Sequence, residues 1–281
     1  MRTGRPRRLE VVDPGPLTTV QDLGRPGHAA LGVPAGGAFD RASLALANRL
    51  VGNDPGAAGL EVTLGGLRLH CPVPVTIALT GAPCPGAPDW GVAVSLPAGS
   101  SLRLGRPALG LHSYLAVRGG VELPPVLGSR STDVLSGLGP APLAAGDALP
   151  LGVPDGPVSG AGATAAAFGG PLAVRFGPRD DWFTPAAREL LLSGRWRVRG
   201  ECDRVGIRLD GPRLERAVTG ELPSEPVLPG AVQVPPDGRP IVFGPDAPVT
   251  GGYPVIAVVL DLAPAAQLRP GDTVRFAAAL S

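Results

Sequence analysis

Apolar positions along this chain fall in short runs, each cut by Gly, Pro or Asp. Several runs alternate apolar with polar side chains in the period-two rhythm of a half-buried strand. The rhythm predicts strands at 9–12, 67–71, 75–80, 92–96, 101–104, 112–117, 173–176, 196–198, 207–209, 231–234, 241–243, 256–260 and 273–276. Two stretches switch to a helical period. From 40 to 51, Leu44, Ala47, Leu50 and Val51 share one face, Asp40 is a natural N-cap, and Gly52 can end the helix in the left-handed region. From 184 to 192, Thr184 caps, Pro185 takes the first helical position and Gly194 follows. The fold class predicted is mainly β with a few short helices.

Between 154 and 171 the chain is rich in Gly, Ala, Pro and Ser and loses all periodicity, which marks a linker. The organisation expected is a disordered tail at 1–8, an N-terminal part at 9–155, the linker at 156–171 and a C-terminal part at 172–281.

The 42 glycines and 35 prolines raise the question of disorder. Apolar residues make up 44% of the chain, however, and the punctuation sits between strands. The composition is that of many turns joining many strands. Net charge is +1, so nothing marks a nucleic-acid or membrane-surface footprint. Arg2, Arg5, Arg7 and Arg8 precede no apolar run, and no run reaches the roughly 18 residues of a membrane span, so neither a secretory signal nor a transmembrane helix is expected. Three widely spaced cysteines (Cys71, Cys84, Cys202) do not form a disulfide framework, and a reducing cytoplasm is expected.

One count limits the chemistry. Every one of the 25 basic residues is arginine. Schiff-base chemistry, a lysine general base and a Walker A lysine are excluded. A phosphate or carboxylate must be held by arginine, by backbone N–H groups or by another polypeptide.

Polar residues with chemistry cluster in a few glycine-rich blocks. In Thr18-Thr19-Val20-Gln21-Asp22-Leu23-Gly24-Arg25-Pro26-Gly27, Gln21 and Asp22 can hydrogen-bond a ligand or orient Arg25, whose planar guanidinium can clamp a carboxylate or phosphate; the other reading is a turn in which Asp22 caps backbone N–H groups and pairs with Arg25. Asp40 is a helix cap and also sits at a helix N-terminus suited to an anion, while Asn48 lies further along that helix as a buried hydrogen-bonding residue. Gly128-Ser129-Arg130-Ser131-Thr132-Asp133 offers a cation, hydroxyls and a carboxylate, either cradling an anion through Arg130, Ser131 and Thr132 or forming a satisfied loop. A C-terminal set comprises Arg204, Glu225, Gln233, Asp246, Thr250, Gly252 and Tyr253. There an aromatic hydroxyl beside flexible backbone can close over a planar ring, or Tyr253 simply packs. Asp22, Arg25, Glu225 and Tyr253 are the catalytic candidates; the others are substrate- or nucleotide-binding candidates. His28, His70 and His112 are isolated and no metal-ligand spacing occurs, so no metal bound by protein side chains alone is expected. Cys84 has no histidine near it in sequence and reads as structural.

These blocks, with Ser113-Tyr114-Leu115-Ala116-Val117-Arg118-Gly119-Gly120, Asp203-Arg204-Val205-Gly206, Val249-Thr250-Gly251-Gly252-Tyr253-Pro254 and Leu268-Arg269-Pro270-Gly271-Asp272, resemble the allophanate-hydrolase-subunit-2 family, also called the biotin-dependent carboxyltransferase-like or KipA-like family, from about residue 9 to 276. Many members have Thr-Thr-Gly-Gly-Tyr-Pro where this chain has Val249 at the first threonine. The resemblance implies two β-barrel-like subdomains of cyclophilin-like fold. It also implies the role of the C subunit in an ATP-hydrolysing 5-oxoprolinase, which opens the lactam of 5-oxo-L-proline to L-glutamate with a KipI-like B subunit and a larger A subunit, the chain being inactive alone. ATP and Mg2+ would be shared with those partners. Arg25, Arg130 or Arg204 would stabilise phosphate charge, and Asp22 or Glu225 would hold magnesium or accept a proton. The resemblance leaves two alternatives open: the carboxyltransferase component of a biotin-dependent urea or amide carboxylase, its biotin on a separate carrier because this chain has no lysine, and a non-catalytic regulator of a kinase inhibitor.

Overall fold

The computed structural model describes residues 7–158, 162 and 168–279. The tail expected at 1–8 lies outside them up to residue 6, and the expected linker lies outside them at 159–161 and 163–167. The chain forms two compact units, residues 1–25, 40–133 and 137–168 in the first, and 26–39, 134–136 and 169–281 in the second. Two short segments of the N-terminal half, 26–39 and 134–136, therefore belong with the C-terminal half.

Unit 1 contains β1 (Arg8–Pro14), β2 (Leu17–Gln21), helix α1 (Arg41–Leu50), β3 (Gly59–Thr63), β4 (Leu67–Cys71), β5 (Val75–Gly81), β6 (Ala93–Leu96), β7 (Ser100–Arg103), β8 (His112–Val117) and β9 (Ala148–Pro150). They build two antiparallel sheets, ordered β7-β4-β1-β9 and β2-β3-β8-β5-β6. In β4 the alternation is visible residue by residue: Leu67, Leu69 and Cys71 are buried, and Arg68 points out. β8 is buried along its whole length because its sheet is covered on both faces. On one side Leu60, Val62, Ile77, Leu79, Leu115 and Val117 join Leu9, Val11, Leu67 and Leu69 in the main core. On the other, Ala47, Leu50 and Val51 at the end of α1 pack with Ala78 and Ala116, small residues that let the helix lie close to the sheet. The Asp40 side chain accepts from Ser43 N at the start of α1, and Gly52 follows with φ 75°, as the sequence pattern predicts.

Unit 2 contains β10 (Leu172–Phe176), α2 (Pro185–Ser193), β11 (Trp196–Val198), β12 (Gly206–Asp210), β13 (Glu225–Pro226), β14 (Ala231–Gln233), β15 (Ile241–Phe243), β16 (Thr250–Gly251), β17 (Val255–Val259), β18 (Thr273–Val274) and β19 (Phe276–Ala278). Eight of them form one sheet, ordered β18-β11-β12-β15-β14-β17-β10-β19. Its two edge strands, β18 and β19, are separated in sequence by Arg275 alone, so the sheet curls into a nearly closed barrel. Trp196, fully buried, donates its indole N–H to Leu191 O (3.2 Å) and meets Phe276 with ring centroids 6.5 Å apart. β13 and β16 make a separate two-stranded ribbon.

The strand expected at 273–276 is two strands, because β18 pairs with β11 and β19 pairs with β10. β2, β3, β9, β13 and β16 have no counterpart among the predicted strands. β2 escapes the apolar pattern because Thr18, Thr19 and Gln21 are all buried polar residues.

Candidate functional site

In unit 1 the polar residues of the first block converge on one loop. The chain leaves β2 at Asp22, whose Oδ1 accepts from Gly24 N (2.7 Å), closing an Asx turn. The same oxygen accepts from Ser129 Oγ (2.7 Å) and Ser131 Oγ, and Oδ2 accepts from Arg130 N (2.6 Å). In return Asp22 N donates to Ser131 Oγ (3.1 Å) and Thr132 N donates to Val20 O (2.9 Å). Asp22 thus laces residues 129–132 to the end of β2. The loop enters through a tight turn: Val126 and Ser129 exchange N–H···O bonds of 2.8 and 3.2 Å across Leu127 (φ 50°) and Gly128 (φ 80°), the two left-handed residues of a type I′ turn. Arg130 turns its side chain back onto Leu123 O (2.6 Å) and Glu122.

Arg25 is only 1% exposed. Its Nη2 donates to Ser131 O, its Nε makes a long contact to Val126 O (3.4 Å), and its Nη1 is buried with no acceptor. Among the described residues no carboxylate pairs with it. Gln21 is fully buried, and its Nε2 donates to Thr132 O and Thr19 Oγ1, both at 3.0 Å. A carbonyl oxygen can only accept, so the bond to Thr132 O fixes which way the amide faces. Oε1 is left without a donor, and Thr132 Oγ1 is also buried without a partner. Three unpartnered polar atoms thus sit on side chains tied to the consecutive residues 131 and 132. Leaving one such atom unsatisfied costs about 1–3 kcal/mol. A concentration of three makes this position the candidate site of unit 1.

Asp40 and Asn48 are committed to the unit's own framework. The Asp40 carboxylate accepts from Ser43 N (2.9 Å) and Ser43 Oγ (2.5 Å), and its N–H donates to Tyr114 Oη (2.8 Å). Tyr114 in turn donates to Glu61 Oε2 (2.8 Å), with His112 Nε2 3.9 Å from the other Glu61 oxygen. Burial, then the charges of Glu61 and Asp40, hold the Tyr114 hydroxyl well above its ordinary range. Asn48 Nδ2 donates to Ala57 O (2.7 Å) and its Oδ1 accepts from Asn53 Nδ2 (2.9 Å), pinning the turn before β3.

In unit 2, Arg204 and Asp246 form a buried bidentate pair, Nε and Nη2 each 2.9 Å from a carboxylate oxygen. Arg204 also donates to Gly37 O (2.7 Å), and Asp246 accepts from Val134 N (3.0 Å). The pair is the clasp that joins segments 26–39 and 134–136 to this unit. Glu225 is engaged by Arg179, which donates to both its oxygens and holds its carboxyl below the usual range. Gln233 Nε2 donates to Tyr253 O (2.9 Å). A Cβ on Gly251 would meet that amide nitrogen at 2.5 Å, so a larger residue there would push the Gln233 amide aside. Thr250, Gly252 and Tyr253 are exposed beside it. Sequence reasoning passed over Arg216, which lines a cleft with Arg213, Glu215, Thr219 and Glu221 and has its Nε buried without an acceptor. Its isolation from any glycine block left no local signal.

No group of three or more His, Cys, Asp or Glu side chains suited to a metal occurs among the described residues, and no helix among them is long and apolar enough to cross a membrane.

Residues 31–278 match the family model described as carboxyltransferase domain, subdomain A and B. The chain is 39% identical over 279 residues to the C subunit of 5-oxoprolinase from Escherichia coli (strain K12), covering 95% of this chain and 90% of that protein. It is 34% identical over 294 residues to the protein of the same name from Haemophilus influenzae, covering 96% and 91%. Its fold is similar to part of the K. lactis urea amidolyase crystal structure, with a TM-score of 0.89 and 30% identity over 97% of this chain but 19% of that one. With a family model spanning both subdomains and relatives matched almost end to end, the chain belongs to the carboxyltransferase-domain family.

Proposed function

We propose that this chain is the C subunit of an ATP-dependent 5-oxoprolinase that opens the lactam of 5-oxo-L-proline to L-glutamate, working with a KipI-like B subunit and a larger A subunit. The observation that carries the reading is the nearly end-to-end likeness, in both directions, to two proteins named as the C subunit of 5-oxoprolinase. The chemistry is consistent with it. A five-membered lactam is a poor electrophile; transfer of the ATP γ-phosphoryl group to its amide oxygen makes the ring carbon attackable by water. The C–N bond then breaks and the nitrogen takes a proton, which leaves an acyl phosphate; a second water hydrolyses it to L-glutamate and phosphate.

Of the three arginines expected to meet phosphate charge, Arg25 is the one available for a substrate anion, because Arg130 and Arg204 are engaged by Glu122 and Asp246. The residues nominated for magnesium do not fit that role. The oxygens of Asp22 accept from Gly24, Ser129, Arg130 and Ser131, and Glu225 accepts from Arg179. In this reading nucleotide and Mg2+ are held by the partner proteins. That placement accounts for the expected inactivity of the chain alone.

The test is co-purification of this chain with its two partners, followed by glutamate release from 5-oxoproline with and without ATP. ATP-dependent glutamate that disappears when this chain is omitted is the expected result. An assembled complex that releases none sinks the reading. The likeness to part of urea amidolyase favours a second reading, carboxyl transfer to urea or an amide from biotin on a separate carrier. It predicts instead that carboxybiotin is consumed when this chain is added.

A further inference from the structure

We propose that Gln21 Oε1, Arg25 Nη1 and Thr132 Oγ1 form one subsite, which takes a cyclic amide bearing a carboxylate next to its N–H. The proposal rests on the oxoprolinase reading for the identity of that amide, and it adds which atoms receive which part of it.

The three unpartnered atoms differ in hydrogen-bonding sign. Arg25 Nη1 is a charged donor and Thr132 Oγ1 can donate, so both suit an anionic oxygen. Gln21 Oε1 is an acceptor, fixed as such by the Thr132 carbonyl on the other end of its amide. An acceptor in that position repels a phosphate, which is rich in oxygens and has no N–H to offer. It welcomes a ligand that presents an N–H beside its anion. In 5-oxo-L-proline the ring carbon that carries the carboxylate is bonded to the lactam nitrogen, so anion and N–H project side by side. The ureido ring of biotin and urea itself carry N–H groups but no carboxylate at that distance.

The framework around these atoms is rigid enough to select. Arg25 is held through Ser131 O and Val126 O, and Gln21 through Thr132 O and Thr19 Oγ1. Asp22 clamps the loop that carries the carbonyls of residues 131 and 132. Gly139 borders the site as well: a Cβ there would meet Ser131 O at 2.0 Å and Arg25 Nη2 at 3.1 Å. With Arg25 only 1% exposed and no acidic partner among the described residues, the ligand's carboxylate is the counter-charge that the buried guanidinium lacks.

The experiment is calorimetric titration of the co-purified complex with 5-oxo-L-proline, 2-pyrrolidinone (no carboxylate) and N-methyl-5-oxoproline (no N–H), repeated with Arg25→Gln and the nearly isosteric Thr132→Val. The complex is expected to prefer 5-oxo-L-proline to both analogues. Arg25→Gln is expected to weaken 5-oxo-L-proline by about 10- to 100-fold, as loss of a charged hydrogen bond does, and to leave 2-pyrrolidinone unchanged. Thr132→Val is expected to weaken it by about 3- to 10-fold. Equal binding of the acid and 2-pyrrolidinone by the unsubstituted complex overturns the subsite. So does an Arg25→Gln complex that keeps the full preference, or one that loses affinity for ATP instead. If Arg25→Gln fails to fold, Thr132→Val decides. Glutamate release in parallel separates the two failures: an active complex with unaltered preference refutes the subsite alone, and an inactive complex that still prefers the acid refutes the enzymatic reading alone.

Discussion

Asp22 illustrates how one carboxylate can be prominent in sequence for one reason and matter in structure for another. Its residue type and its place before a glycine suggest a ligand or a proton acceptor. Its oxygens instead receive four donors from its own turn and from residues 129–131. Asp22→Ala is therefore expected to lower stability by about 2–4 kcal/mol, read from the urea midpoint, because several donors lose a charged acceptor at once. Turnover should fall with it through a raised KM, as the Arg25 and Thr132 positions loosen. A variant of unchanged stability with abolished kcat is the outcome that restores Asp22 to the chemistry. Leu127 makes the opposite kind of prediction. It holds φ 50° at a position where a side chain is disfavoured by about 1–2 kcal/mol, and it is 43% exposed, so little packing is lost on replacing it. Leu127→Asn should raise stability by about 0.5–1 kcal/mol on thermal unfolding. The residue types at this site were legible: Gln21, Asp22, Arg25, Ser131 and Thr132 stand out from their surroundings. What could not be read is which atoms are spent. Gln21 and Thr132 are 111 residues apart, and their shared bond decides that Oε1 is the atom left over.

At the scale of elements, local pattern served well wherever one face is dry and the other wet. The in-out alternation of β4, and the caps of both helices, follow from side chains a few positions apart. It failed at β2, where buried threonines make a core strand look polar, and at the β13–β16 ribbon, whose strands are two residues each. That ribbon is tied down at Glu225 by Arg179, and the tie depends on pH. The Glu225 carboxyl is depressed below its ordinary 4.5 by the hydrogen bond from Arg179, so the folded ribbon favours the ionised form. The contribution is complete above the unfolded value near 4.5 and is lost as pH falls through the lower folded one. Amide exchange at Glu225, Thr250 and Gly251 should accelerate as pH drops below that range, after correction for the intrinsic rate. Glu225→Gln should show the faster corrected exchange already at neutral pH. A ribbon equally protected in the variant would place its anchor elsewhere, at Gln233 and the Tyr253 carbonyl.

For the whole molecule, the division between the two compact units does not follow the order of the chain. Sequence composition places one break near 156–171 and assigns everything before it to one part. Segments 26–39 and 134–136 nonetheless join the second unit, because Gly37 O and Val134 N are bound by Arg204 and Asp246, residues 167 and 112 positions away. No local period carries that information. The buried pair is also where unit 2 is most exposed to single substitutions. Asp246→Ala strands a guanidinium 2% exposed and removes the acceptor of Val134 N, which should cost about 3–5 kcal/mol. Replacing both partners, Arg204→Met with Asp246→Leu, removes the charge problem and leaves the backbone groups of Gly37 and Val134 short of their bonds. The double variant should therefore be more stable than Asp246→Leu alone by about 1–3 kcal/mol, and the coupling in the cycle of Arg204→Met and Asp246→Leu should exceed that gap by the cost of Arg204→Met alone. Chemical unfolding of the four proteins measures it. Additive losses would mean that Arg204 finds another partner when Asp246 is gone, and that packing of the surrounding barrel, rather than this pair, fixes the two stray segments in place.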